Sequence, residues 1–154
     1  PKVLGVSRNG EIWRYPAINL AFAAASEEGL QLPVLKAADT LDMAARGTAW
    51  RALAENARQN RISPEDLNDG VIAISNLGNR GVENGTALLP PGMSVIVFFG
   101  SIEERPIAVN GVLEIRPTAH ISATFDHRII DGVTAAAFTS ALRTLLSVGA
   151  AGVV

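Results

Sequence analysis

The chain has 154 residues, enough to bury a core of its own, and fits one domain. Its 13 basic and 15 acidic residues leave a net charge of −2 with the basic residues scattered, so it carries no electrostatic footprint for nucleic acid. Zero cysteines exclude disulfides, thiolate metal sites and a cysteine nucleophile. No apolar run approaches a membrane span, and the first residues lack the regions of a signal peptide.

Pro1 is an unusual first residue, so the sequence is expected to be part of a longer chain, and residues 1–10 carry no readable pattern. Glu11 to Tyr15 and Ile18 to Ala25 read as two extended segments separated by Pro16, and Ser26-Glu27-Glu28-Gly29 as a turn. Leu30 to Leu35 reads as a strand in which Pro33 points to an edge or a bulge. Asp39-Thr40 offers an N-cap to a long helix running to about Gln59, with Leu41, Ala44, Ala45, Ala49, Leu53 and Ala57 at helical spacing and Trp50 in the core or packed under a neighbouring strand rather than serving as a binding platform. Ser63-Pro64-Glu65-Asp66 starts a short helix that Asn68-Asp69-Gly70 stops. Val71 to Ser75 is a compact buried strand. It runs into a glycine-rich loop, Asn76 to Gly85, that lacks the Gly-Lys-Ser/Thr of a phosphate loop.

After Pro90-Pro91-Gly92, the apolar run Ser94 to Gly100 predicts a strand covered on both faces. Pro106 to Val109 and Val112 to Ile115 flank Asn110-Gly111, a two-residue hairpin turn. Ala119 to Phe125 alternates as a half-buried strand, and Val133 to Leu146 reads as a helix. The elements predict a mixed α/β or α+β sandwich, a single domain over residues 1–154 with helices packed on the sheet.

Between the last strand and helix lies Phe125-Asp126-His127-Arg128-Ile129-Ile130-Asp131-Gly132. A histidine at a strand end is held rigidly yet stays reachable, and an aspartate four residues on can orient a neighbour; this spacing suits a general base. The same spacing arises by chance, and Asp131 equally suits the N-cap of the following helix. Ser75 and Asn76, at the mouth of a buried strand, are placed to donate hydrogen bonds. His120, with nothing at catalytic spacing, reads as structural.

Four pieces occur in the order of a known family: Gly29 to Leu35, Ile74-Ser75-Asn76-Leu77-Gly78, Pro90-Pro91, and Asp126 to Gly132. Through them the stretch from about Gly10 to Leu146 resembles the catalytic domain of the dihydrolipoamide acyltransferases, the E2 components of 2-oxoacid dehydrogenase complexes. The resemblance implies the fold of chloramphenicol acetyltransferase and a homotrimer, possibly built into a cage, with active sites at subunit interfaces. It implies that coenzyme A and an acyl-dihydrolipoyl arm enter a channel from opposite ends. His127 then matches the base, Ser75 the hydroxyl that stabilises the oxyanion from the neighbouring subunit, and Asp131 a supporting carboxylate acting through a structural ion pair, with Arg128 nearby. Asn76 is a candidate contact to coenzyme A or an organiser of its loop. The E1 and E3 components would be held by upstream domains, the setting would be bacterial cytoplasm or else the mitochondrial matrix, and no metal, nucleic acid or membrane is called for.

Three departures qualify the match. The family's domain normally begins well before residue 1, with an N-terminal strand and helices that help form the channel. Phe98-Phe99 stands where the family has a glycine and a small apolar residue, bulk that either narrows an acyl pocket or fills core. The tail Ser147 to Val154 lacks the usual acidic-proline ending, so a trimer that builds no cage is an expected alternative. Two other functions stay open: an inactive trimeric scaffold, against which Ser75 and His127 together argue, and an O-acetyltransferase of the chloramphenicol type. Amide-forming condensation domains also use H-x-x-x-D-G, but usually after a second histidine where this chain has Asp126.

Overall fold

The computed structural model describes residues 2–26 and 29–148. A five-stranded mixed sheet forms the centre, with strand order β6(Val34–Leu35), β3(Leu20–Phe22), β7(Ile72–Asn76), β8(Val95–Val109), β9(Val112–Phe125). Strands β3, β7 and β8 are parallel, while β6 and β9 run antiparallel at the edges. Two small antiparallel hairpins stand apart from it: β1(Gly5–Arg8) with β2(Glu11–Arg14), and β4(Ala24–Ser26) with β5(Gly29–Gln31). Glu27 and Glu28 of the expected turn, and the tail from Gly149, lie outside the described residues.

Alternation along the strands assigns the two faces. Leu20, Ile72, Val95 and Phe125 are level across the sheet and point to one face, where Val97, Ala135, Phe138 and Leu142 join the same core. Helix α2(Gly132–Val148) is seated there through Phe138, whose ring meets Phe125 edge-on at 5.8 Å. Helix α1(Met43–Arg58) covers the same face further along, with Trp50 stacked on Phe22 at 4.0 Å. Ala21, Ala73 and Ile96 point to the other face, which Met93, Ala87 and Leu89 cover. That covering segment is tied to β9 by the Ser122 and Thr124 hydroxyls, which donate to the carbonyls of Gly85 at 2.5 Å and Ala87 at 2.8 Å.

Several expectations change at this level. The stretch 1–10 does contain a strand: Asn9-Gly10, with φ of 52° and 81°, turns β1 into β2 just as Asn110-Gly111, with 50° and 81°, turns β8 into β9. The cap of α1 is Asp42, whose carboxylate accepts the Ala45 N–H at 2.7 Å. Asp39, expected to cap, instead accepts the Ile18 N–H at 2.8 Å from a separate 3₁₀ turn, Ala38–Thr40. The short apolar runs after Met93 fuse into two strands of 15 and 14 residues, interrupted by one bulge between Phe99 and Ile102. Beyond the bulge the pair leaves the sheet as a two-stranded arm, where Pro106 and Pro117 can turn their missing donors outward. Leu30 to Leu35 splits at the buried Pro33 into β5 and the edge strand β6. No helix of the described residues is long and apolar enough to cross a membrane.

Candidate active site

The chain leaves β9 at Phe125 and turns through Asp126 to Asp131 into α2. The turn is held at both ends. The Asp126 N–H donates to the Ser94 carbonyl at 2.9 Å, while the Asp126 carbonyl accepts the N–H groups of Ile129 and Ile130 at 3.1 and 3.0 Å. Ser94 is itself buried, its hydroxyl within 2.9 Å of the Val71 carbonyl and 2.5 Å of the Val3 carbonyl, and Ile130 is 1% exposed in the core. Between these anchors His127 stands exposed at the rim of an open pocket bordered by Lys2, Arg14, Arg128, Asp131 and Thr134.

The carboxylates beside it have different partners. Asp126, 7% exposed, accepts from Arg128 Nε at 2.9 Å and Nη2 at 2.7 Å, and from the Arg128 backbone N–H at 3.1 Å. Those side-chain hydrogen bonds hold its carboxyl below the ordinary range, against the opposing effect of burial. Asp131 caps α2: its Oδ1 accepts the Thr134 N–H at 2.7 Å and its carbonyl the Ala135 N–H at 2.9 Å. The Thr134 backbone hydrogen bond is the main cause of its lowered pKa, with smaller contributions from the charges of Lys2 and His127. Among the described residues Asp131 makes no ion pair. Arg128 pairs with Asp126, because the turn points its guanidinium back across His127, and Asp131 is taken up by the helix end.

Ser75 lies elsewhere. It sits near the end of β7, level with Phe98 and Ser122, on the face opposite the helices. The level of Ile72, Val95 and Phe125 is three residues back along β7, and His127 lies beyond that level. At about 3.3 Å per residue the two are separated by at least roughly 10 Å along the strands and by two strand spacings of about 4.8 Å across them. One chain does not bring Ser75 and His127 together. Asn76 accepts the Gly78 N–H at 3.0 Å through its side-chain oxygen and so orders the loop that follows. Its amide borders a second pocket, near Trp50 and Arg80, on the helix side of the sheet.

Phe98 is buried beside Ser75, and a Cβ on Gly85 would sit 3.2 Å from its ring; Phe99 packs on the opposite core, so both rings fill core. His120 stands on β9 at 3.9 Å from Glu83, a carboxylate that Arg105 holds at 2.8 Å, at the root of the arm. Sequence reasoning missed Lys2 and Arg14 at the pocket, and the pairing of Arg128 with Asp126. The Asp126–Arg128 pair has a local signal, opposite charges flanking a histidine, whereas Lys2 and Arg14 reach the pocket only because the first hairpin folds against the turn.

Comparison with known proteins follows this geometry. Residues 4–151 match the family described as 2-oxoacid dehydrogenases acyltransferase (catalytic domain). The chain is 35% identical over 136 residues to the dihydrolipoyllysine-residue acetyltransferase component of the pyruvate dehydrogenase complex of Zymomonas mobilis, covering 88% of this chain and 31% of that protein. It is 38% identical over 121 residues to the mitochondrial dihydrolipoyllysine-residue succinyltransferase component of the 2-oxoglutarate dehydrogenase complex of Sus scrofa, covering 79% and 27%. Thus it spans about a third or less of the length of these relatives. Among solved structures, the Azotobacter vinelandii dihydrolipoamide acetyltransferase superposes with a TM-score of 0.89 at 26% identity, over 95% of this chain and 61% of that one. A chloramphenicol acetyltransferase superposes with a TM-score of 0.53 at 16% identity, over 94% and 69%, which shows the shared fold.

Proposed function

The chain belongs to the 2-oxoacid dehydrogenase acyltransferase family, within its catalytic domain, and from that premise we propose that it moves an acyl group between a dihydrolipoyl arm and coenzyme A. The observation that carries the reading is His127, an exposed imidazole on a turn pinned at both ends, facing a pocket rimmed by Lys2, Arg14 and Arg128. That donor set suits an anionic, thiol-bearing substrate such as coenzyme A.

In this reading the His127 imidazole takes the proton of the substrate thiol as the sulfur attacks the thioester carbonyl. Ser75 donates its hydroxyl to the oxyanion of the tetrahedral intermediate, a contribution typically worth about a hundredfold or more in rate. Collapse expels the dihydrolipoyl sulfur, and the imidazolium returns the proton to it; no acyl-enzyme is needed. The separation of Ser75 from His127 within one chain supports a site completed by a second copy, as in a trimer with its sites between subunits. The Azotobacter protein was studied for the catalytic role of a serine, a histidine and an asparagine spaced 52 and then 4 residues apart, the spacing of Ser75, His127 and Asp131 here. The third member differs, aspartate for asparagine. Its role here is to cap α2, a task both side chains perform.

Cage assembly and the binding of E1 and E3 components belong to this proposal as properties of a larger chain, supported by the cubic core described for a structural relative. The acyl group is left to experiment, since acetyl, succinyl and branched-chain components are all similar to this chain. The test is steady-state transfer from acetyl-, succinyl- and isobutyryl-coenzyme A to free dihydrolipoamide. One donor should be preferred, and His127→Ala should lower its transfer by at least about a hundredfold. No transfer with any donor by the folded, assembled protein would leave only a scaffold.

A further inference from the structure

Nothing in the chain holds the His127 imidazole by a side-chain hydrogen bond among the described residues, yet a general base must be aimed to within a fraction of an ångström. We propose that Asp126 and Arg128 are positioning residues for His127: their ion pair fixes the turn so that the imidazole is presented to the pocket in one orientation. This rests on reading His127 as the base.

Three features carry it. First, the pair closes a ring around a single residue. Arg128 binds the Asp126 carboxylate through its backbone N–H at 3.1 Å, Nε at 2.9 Å and Nη2 at 2.7 Å, and His127 is the one residue between them. Second, the ring is anchored on a frame rather than on a loose loop. Asp126 is buried and tied through its N–H to Ser94, and its carbonyl receives Ile129 and Ile130, whose side chains reach the core. Third, the geometry is that of a planar guanidinium on a carboxylate, which resists rotation far better than a single point charge would. The backbone bonds hold the two ends of the turn, and the ion pair fixes the peptide planes on either side of His127. Misplacing a catalytic group by about 1 Å can cost roughly a hundredfold in rate, so this local rigidity bears on catalysis.

The test uses Arg128→Ala, Asp126→Asn, the double variant and Arg128→Lys, each checked for folding by its melting temperature. Each should lower kcat about 10- to 100-fold, Arg128→Lys losing least, and KM for the acyl donor should stay within about threefold in Asp126→Asn and Arg128→Lys, which keep the cationic rim of the pocket. The pH–rate profile supplies a readout that general destabilisation would not move. Lys2, Arg14 and Asp131 also border the pocket and stay constant in every variant. Removing Arg128 leaves the Asp126 carboxylate unpaired beside the imidazole, which favours the charged form and moves the acidic limb to higher pH. Asp126→Asn leaves the guanidinium unpaired and moves the limb to lower pH, and the double variant restores the limb without restoring the rate.

Should a single variant fail to fold, Arg128→Lys together with an NMR titration of His127 in the intact protein decides the matter. The lysine variant should keep the His127 titration near its original value, lose rate, and broaden the imidazole signals. Rates within twofold of the original and unmoved limbs, alongside an inactive His127→Ala, would overturn the positioning role while leaving the base intact. If His127→Ala keeps its activity, the underlying reading fails instead.

Discussion

Asp126 and Asp131 stand one residue before and four residues after His127, and both titrate below an ordinary aspartate for reasons visible in their hydrogen bonds. An unfolded aspartate releases its proton near pH 3.9, so these groups bind fewer protons when folded. Their stabilisation is whole above about pH 5 and is lost as the pH falls through their lowered values. Urea midpoints measured from pH 7 to pH 3 should therefore drop most steeply below about pH 4, and Asp126→Asn should flatten that drop. Asp131 supports the fold through its cap. Asp131→Ala should lower the melting temperature by a few degrees, while Asp131→Asn, which caps equally well, should leave it nearly unchanged. A fall of equal size in both would show that charge, rather than capping, is what Asp131 contributes.

At the scale of elements, the loop after Ser75 is placed by close backbone contact. A Cβ on Gly78 would lie 2.4 Å from the Gly100 carbonyl oxygen, and one on Gly100 would lie 1.9 Å from the Glu83 carbonyl oxygen. The Ser101 N–H bonds the Val82 carbonyl at 2.9 Å across the same contact, and the bulge between Phe99 and Ile102 lets β8 bend there. Backbone cannot yield as a flexible side chain can. Gly100→Ala should destabilise the fold by about 2 kcal/mol or more, read from the denaturation midpoint, and should displace the loop that follows Ser75. The sequence pattern predicted the loop and its glycines, yet not this crossing. Glycines that permit close approach look like glycines that merely turn until the neighbouring strand is known.

For the whole molecule, the decisive feature is that Ser75 and His127 lie at opposite ends of the sheet. Beyond the bulge, the arm of β8 and β9 leaves Ile102, Leu113 and Ile115 exposed on one face of a two-stranded ribbon, Ile115 at 71%. An apolar face of that kind calls for a partner, and a second copy covering it would suit a site shared between subunits. Ile115→Asp should then yield a smaller species by light scattering, with unchanged circular dichroism and lost transfer. Co-assembly of Ser75→Ala with His127→Ala subunits should restore about a quarter of the sites when the two are mixed equally in a trimer. No recovery on mixing would place both residues' work within one chain and contradict the shared site.

What the sequence determined by itself was chemistry and local pattern. The strand-to-helix turn around His127, the strand ending at Ser75, the helix over Val133 to Leu146 and the Asn-Gly hairpin all depend on neighbours a few residues apart, whose periodicity and turn preferences are written locally. The family follows from four such pieces in order. Only the tertiary structure decided which charge pairs with which: Arg128 with Asp126, and Asp131 with the end of α2, since carboxylates two residues before and three residues after Arg128 are both within reach of its side chain. It alone fused the short runs into two long strands, and it alone brought Lys2 and Arg14 to the histidine. Strand register and hairpin docking join residues far apart in the chain, and no local preference encodes that distance.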